Sequence, residues 1–202
     1  ALSGQDDGDE GEIVLGVPHD IVYPHIPHVL QSFAAAFPRM KVQLISSFTR
    51  GLRQQFVAGE CDIILTTESE LGPSGETVSE AKLVWVGAPG GSAWKSRPLR
   101  LAFEHNCIFR RDVQRALDKA HIDWEMAVES ASTRTIEASV SADLGVHAMV
   151  AGSEPPHFER IVHGGALPEL SVQKINLYVQ EGKGSEPLGA LAQMVRNAYM
   201  RG

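Results

Sequence analysis

Cysteine is scarce in this sequence: Cys61 and Cys107 are the only two in 202 residues. Two thiols that far apart exclude a disulfide-dense scaffold and a multi-thiolate zinc module. Each stands beside apolar residues, Asp62-Ile63-Ile64 and Ile108-Phe109, so both are expected to be buried thiols in a reducing compartment. Long apolar runs are also missing. Nothing approaches the roughly 20 residues of a membrane span, and no basic-then-apolar opening marks a secretory signal. A basic excess is lacking as well: 18 Lys and Arg face 25 Asp and Glu, a net charge of −7. Such a chain is poorly suited to gripping phosphate backbones by itself.

The motifs of common catalytic sites are absent in the same way. There is no G-x-G-x-x-G, no phosphate-loop G-x-x-x-x-G-K-[ST], no H-E-x-x-H, no G-x-S-x-G and no C-x-x-C. Glu68, Glu70 and Glu80 lie in loop-like segments without a partnered histidine or nucleophile and are expected to be solvated. His25 and His28 are three apart on one helical face and lack a third metal ligand, so they are read as partly exposed. The chain is expected to be no enzyme and to need no cofactor or metal.

What is present is a run of βα units. Ile13 to Val17 reads as a strand that Pro18 ends, since proline cannot donate to a central ladder. A helix is predicted from Pro24 to Phe37, with Ile26, Val29, Leu30, Phe33 and Phe37 making one apolar stripe. Val42 to Ser46 is a second strand, a helix through Leu52, Phe56 and Val57 closes at Gly59, and Asp62 to Thr66 is a third strand. Strand and helix alternating at this density imply right-handed crossovers and a parallel sheet. A second set follows: Ala81 to Gly87, a helix over Asp112 to Ala120, Trp124 to Val128, a helix through Ile136 and Val140, and Gly145 to Val150. Gln173 to Gln180 alternates as a half-buried strand, and a helix from Glu186 to Tyr199 is capped by Ser185, with Pro187 in its first turn.

The fold class expected is therefore α/β, with two Rossmann-like βα lobes joined by hinge strands. Residues 1–11 form a flexible acidic lead-in, 12–83 with 181–202 the first lobe, and 84–180 the second, with a ligand cleft between them. Ligands of such folds settle beyond the carboxyl ends of parallel strands. His19 follows the first strand directly and is a candidate pocket residue. The hydroxyl-rich segments Ser46 to Arg50, Thr66-Thr67 and Ser130 to Thr133 also end strands. Thr49 and Ser132 are read first as helix N-caps, with capping combined with ligand contact as the alternative. Arg50 and Arg134 are expected to be exposed.

Several of these pieces carry a family likeness. They are Gly11 to Gly16, Pro27 through Phe37-Pro38, Val42-Gln43-Leu44, the run Leu52 through Gly59-Glu60-Cys61-Asp62-Ile63-Ile64, and Ser139 to Val146. Together they resemble the effector-binding domain of the LysR-type transcriptional regulators, itself built like a type II periplasmic binding protein. The likeness covers nearly the whole chain from Gly11 onward. It implies ligand contact by His19, Asp20 and Ile21, by Ser47, Phe48 and Thr49, by Thr66, and by Ser130, Ser132 and Thr133. Phe109 and His147 are implied for the second-lobe wall. It also implies a small-molecule effector, with a carboxylate among the candidates, and a homodimer or higher homo-oligomer in the cytoplasm. DNA would be contacted only through an N-terminal winged helix-turn-helix outside this chain. Three departures stand out: Asp143 in place of the first glycine of Gly-Leu-Gly, Val150-Ala151 in place of Leu-Pro, and His19-Asp20 in place of a small hydroxyl residue. The alternative reading of the same fold is an exported solute-binding protein that serves a transporter.

Overall fold

The computed structural model describes residues 10–182 and 184–201. The expected acidic lead-in falls mostly on residues 1–9, outside the described residues. In chain order the elements are β1 (Gly11–Pro18), α1 (His25–Ala36), β2 (Met40–Ser47), α2 (Thr49–Val57), β3 (Ile63–Glu68), β4 (Glu76–Gly87) and β5 (Leu99–Glu104). They continue with α3 (Arg110–Lys119), β6 (Trp124–Ser130), α4 (Thr133–Ser141), β7 (His147–Val150), β8 (Glu159–Arg160), β9 (Val172–Val179) and α5 (Glu186–Met200). The class is α/β, as the alternation implies.

Contacts divide the chain into two units, one running to Glu80 and resuming at Lys174, the other spanning Ala81–Gln173. The chain crosses between them within β4 and within β9. The borders expected from the strand pattern, 83/84 and 180/181, lie further along the chain. The second crossing comes early because β9 is claimed by the first unit: Lys174 to Val179 pair antiparallel with Glu68 to Ile63 of β3.

In the first unit β1 lies between β2 and β3 and is parallel to both, with Leu15 opposite Leu44 on one side and Ile63 on the other. The Asp62 carboxylate accepts the Val14 N–H at 2.8 Å, tying the entry of β3 to β1. Gly16 sits where any side chain would collide, because a Cβ there would lie 2.8 Å from Leu52 and 3.0 Å from Ile64. The core beneath α2 joins Leu52, Cys61, Ile64 and Tyr178. On α1, Ile26, Val29 and Phe33 are buried, while Phe37 stacks on Phe33 from a half-buried position. That helix packs against α5, whose Leu188, Leu191, Val195 and Tyr199 are buried. Gly59 closes α2 at φ +78°, the left-handed geometry that favours glycine. Ser185 caps α5 by accepting from Leu188 N–H.

In the second unit β4 pairs antiparallel with β7 and with the short β8, while β5 runs parallel to β6. Val86, Ala102, Ile136, Val140, Met149 and Phe158 form its core, with Val84 and Val128 packed against them. Two local expectations fail. Cys107 is half-buried rather than buried, because its segment is a turn ahead of α3. The middle of β9 does not alternate: Ile175, Asn176, Leu177 and Tyr178 are all buried, since the polar side chains Asn176 and Tyr178 face partners inside the first unit instead of water.

Candidate functional site

The carboxyl ends of β1, β2 and β3 assemble a polar surface on the first unit. After Pro18 the chain makes a single 3-10 turn, His19–Ile21. It leaves His19 and Asp20 half-buried and Ile21 buried. His19 Nδ1 lies 2.8 Å from Ser46 Oγ, and its ring meets Phe48 edge-on at 4.9 Å. Ser47 and Phe48 are half-buried at the same strand ends.

Thr49 is not the N-cap of α2. Phe48 holds that position without a side-chain cap, and Thr49 opens the helix itself. Its hydroxyl is used across the unit: it accepts the Thr67 N–H at 3.1 Å and pairs with Thr67 Oγ1 at 3.2 Å. Thr49 therefore rivets α2 to β3. Thr66 is fully buried, and its hydroxyl donates to Glu68 Oε2 at 2.7 Å. Arg50 is exposed, as expected.

Glu68 reverses its expectation of being solvated. It is the last residue of β3, only 7% exposed. Its carboxylate accepts from Thr66, from Asn176 Nδ2 at 2.9 Å and from Tyr178 Oη at 2.9 Å, and pairs with Arg53. Burial alone would raise its pKa, but the bonds from Asn176, Thr66 and Tyr178 and the Arg53 charge outweigh it and hold the group below the usual carboxylate range. Tyr178 Oη accepts in turn from Gly72 N–H. Two of the neighbours that enclose Glu68, Asn176 and Tyr178, lie more than a hundred residues away in β9, and local pattern carries no sign of them. A hint was available in parity, since Ile64, Thr66 and Glu68 share one face of β3.

On the second unit Ser132 is an N-cap as expected, accepting from Thr135 N–H at 3.4 Å. Ser130 Oγ accepts the Ser132 N–H at 3.0 Å, folding the end of β6 into the first turn of α4. Thr133 Oγ1 is buried without a hydrogen-bond partner. Arg134 is exposed. Phe109 is buried as the residue ahead of α3. His147 is 6% exposed; its Nδ1 lies 2.8 Å from the Ala102 carbonyl oxygen and its ring 4.4 Å from Phe103. A carbonyl only accepts, so Nδ1 carries the proton. Burial depresses the imidazole pKa, against opposing pulls from Glu104, the Ala102 carbonyl and Glu137.

Asp143, the departure at the first glycine of Gly-Leu-Gly, adopts the backbone that glycine would supply, φ +61°. Its side chain offsets the strain: the carboxylate accepts from Ser92 N–H at 2.9 Å and Ala93 N–H at 3.1 Å. Among the described residues no cluster of three His, Cys, Asp or Glu is placed to hold a metal ion. His25 is half-buried against Tyr199, and His28 is exposed. No described helix is long and apolar enough to cross a membrane.

Residues 6–199 match the family model described as LysR substrate binding domain. The HTH-type transcriptional regulator DgdR of Burkholderia cepacia is 24% identical over 190 residues, which cover 94% of this chain and 65% of the relative. The chain thus spans about two thirds of the length of that regulator. Among solved structures, the effector binding domain of QuiR in complex with shikimate superposes with a TM-score of 0.71 at 13% identity, covering 95% of this chain and 98% of that one. The regulatory domain of CcmR from Synechocystis PCC6803, in complex with 2-PG, gives 0.72 at 16% identity, covering 95% and 97%.

Proposed function

Because this chain belongs to the LysR substrate binding domain family, we propose that it is the sensing part of a transcription regulator, binding a small organic effector and catalysing nothing. DNA contact is assigned to a segment outside this chain, and the working form to a homodimer or higher homo-oligomer in the cytoplasm. The single observation that carries the binding role is the polar cluster at the carboxyl ends of three parallel strands. There His19, Ser46 and Phe48 hold one another while Ser47 stays partly accessible. Strand ends of this kind are where α/β sheets receive ligands.

Within the implied contact set the residues divide by accessibility. His19, Asp20, Ser47, Phe48, Ser130, Ser132 and Thr133 retain exposed surface and are assigned to touch the effector. Ile21, Thr49, Thr66, Phe109 and His147 are buried and are assigned to hold those contacts in place. Ligand binding acts by favouring one of two conformations, and the attached DNA-binding segment responds to that shift.

A thermal-shift panel of small organic acids, amino acids and aromatic metabolites tests this reading. A binder stabilises the native state by mass action. The expected result is a concentration-dependent rise in melting temperature that Ser47→Ala combined with Phe48→Ala removes, while Val162→Ala, on an exposed loop of the other unit, leaves it in place. A rise of equal size in the double variant overturns the assignment.

A further inference from the structure

Glu104 stands apart from the other buried charges. It is the last residue of β5 and only 6% exposed, yet among the described residues its side chain has neither a hydrogen bond nor an ion pair. Its oxygens nevertheless keep contact with solvent. A buried charge ordinarily finds a partner, and a polar group left bare asks for one from outside the chain.

Strand parity fixes where this carboxylate emerges. Ala102 and Glu104 share one face of β5, and Ala102 packs with Ile136 and Val140 of α4. On β6, Val128 packs against that same cluster, and Ser130, two residues on, is the register partner of Glu104. Glu104 and Ser130 therefore both emerge on the face covered by α4, at the end of the strands where that helix begins. There Thr133, the first residue of α4, has its hydroxyl oxygen buried and without a partner. One corner of one unit thus holds a bare carboxylate and an unused hydroxyl.

The groups around the corner supply no free counter-charge. An ionised carboxylate only accepts. His147, whose imidazole feels the Glu104 charge, has its pKa lowered by burial and spends its Nδ1–H on the Ala102 carbonyl, so at neutral pH it brings a lone pair and no cation. His105 and Arg110 are engaged by Glu129. The positive end of α4 offsets part of the charge, but the Thr135 N–H in its first turn is taken by Ser132.

The geometry points to a cation-accepting corner: Glu104, with Ser130 and Thr133 at its rim, receives the protonated amine of an amine-bearing small molecule. This deepens the effector-sensing reading and rests on it, since it gives the effector an ammonium group and turns a bare anionic head group away from this unit. An ammonium brings three donors to a carboxylate and to hydroxyl oxygens that can accept, and a charge-assisted bond there is about twice as strong as a neutral one.

Amide NMR of the ¹⁵N-labelled chain tests it, with ethylammonium chloride as the probe and sodium acetate and sodium chloride as controls at equal ionic strength. Ethylammonium is expected to give saturable shifts at Glu104 and from Ser130 to Thr133. Glu104→Gln, which keeps the shape and removes the charge, is expected to weaken that binding by about tenfold. Glu104→Asp, which keeps the charge on a shorter arm, is expected to retain part of it. Saturable shifts from acetate at these positions, or none from ethylammonium, overturn the proposal; the second result means that water alone satisfies Glu104. The two readings fail separately. A panel hit lost in the Ser47, Phe48 double variant, beside a silent ethylammonium titration, removes the amine site and leaves effector sensing intact.

Discussion

Glu68 and Glu104 make an instructive pair. Each is the last residue of a parallel strand, β3 in one unit and β5 in the other, and they are 7% and 6% exposed. Glu68 is saturated, with Thr66, Asn176, Tyr178 and Arg53 all turned toward it. Glu104 has no such partner among the described residues. Burial is thus nearly equal, and the difference lies in who answers the charge. A carboxylate enclosed by its own chain fastens the fold, whereas one enclosed but left bare is a place for something else to bind.

Removing the first group should have the largest effect. Glu68→Ala leaves Arg53, Asn176 and Tyr178 facing a void and is expected to cost about 3 kcal/mol, by the usual penalty for breaking a buried ion pair. Urea denaturation measures it, and a loss under about 1 kcal/mol would place the network among surface ion pairs. Acid sharpens the contrast from another side. The His147 pKa is depressed below 6.5 in the fold, so below that value the unfolded chain takes up a proton that the native chain refuses. Stability should therefore fall as pH drops through 6.5, with a slope approaching about 1.4 kcal/mol per pH unit. His147→Asn, which can still donate to Ala102, should flatten that limb; an unchanged slope would assign it elsewhere. At lower pH the depressed pKa of Glu68 takes over: its contribution is present above the ordinary 4.5 and is lost as pH falls through the folded value.

Glu104→Gln should act in the opposite sense to Glu68→Gln, raising stability by up to about 1 kcal/mol because a largely enclosed charge that only solvent answers disappears. The smallest effect is expected at Asp143. Asp143→Gly relieves the φ of +61° but gives up the bonds to Ser92 and Ala93, for a net change within about 1 kcal/mol. Asp143→Ala loses the bonds and keeps the strain, so it should melt lower than the glycine variant. If the order of the two is reversed, Asp143 contributes nothing beyond its backbone.

The sequence made the elements legible because each obeyed a local rule. The stripe of α1 follows from Ile26, Val29 and Phe33 at helical spacing, the end of α2 from Gly59, and the start of α5 from Ser185. The parallel order of β1, β2 and β3 followed from their connections. Side-chain partnerships across the fold were not legible. Thr49 looked like a cap because a hydroxyl stood at a helix start, but Thr67 on β3 offers it better bonds. Glu68 looked solvated because it fell in a loop-like segment with no partnered histidine or nucleophile, and Asn176 and Tyr178, which help to enclose it, arrive from β9. Glu104 drew no notice, lying between apolar pieces whose shared helix-facing side depends on where α4 packs. Asp143 was visible as a departure, but its rescue by Ser92 and Ala93 could come only from three dimensions.

The most direct test sets the two carboxylates side by side. Equilibrium urea unfolding of Glu68→Gln and Glu104→Gln at neutral pH, against the unaltered chain, needs no knowledge of the effector. The expected result is opposite signs: destabilisation by about 1 to 2 kcal/mol for Glu68→Gln and a gain for Glu104→Gln. Destabilisation of similar size in both would contradict the account, since it would show that Glu104, like Glu68, already serves the fold.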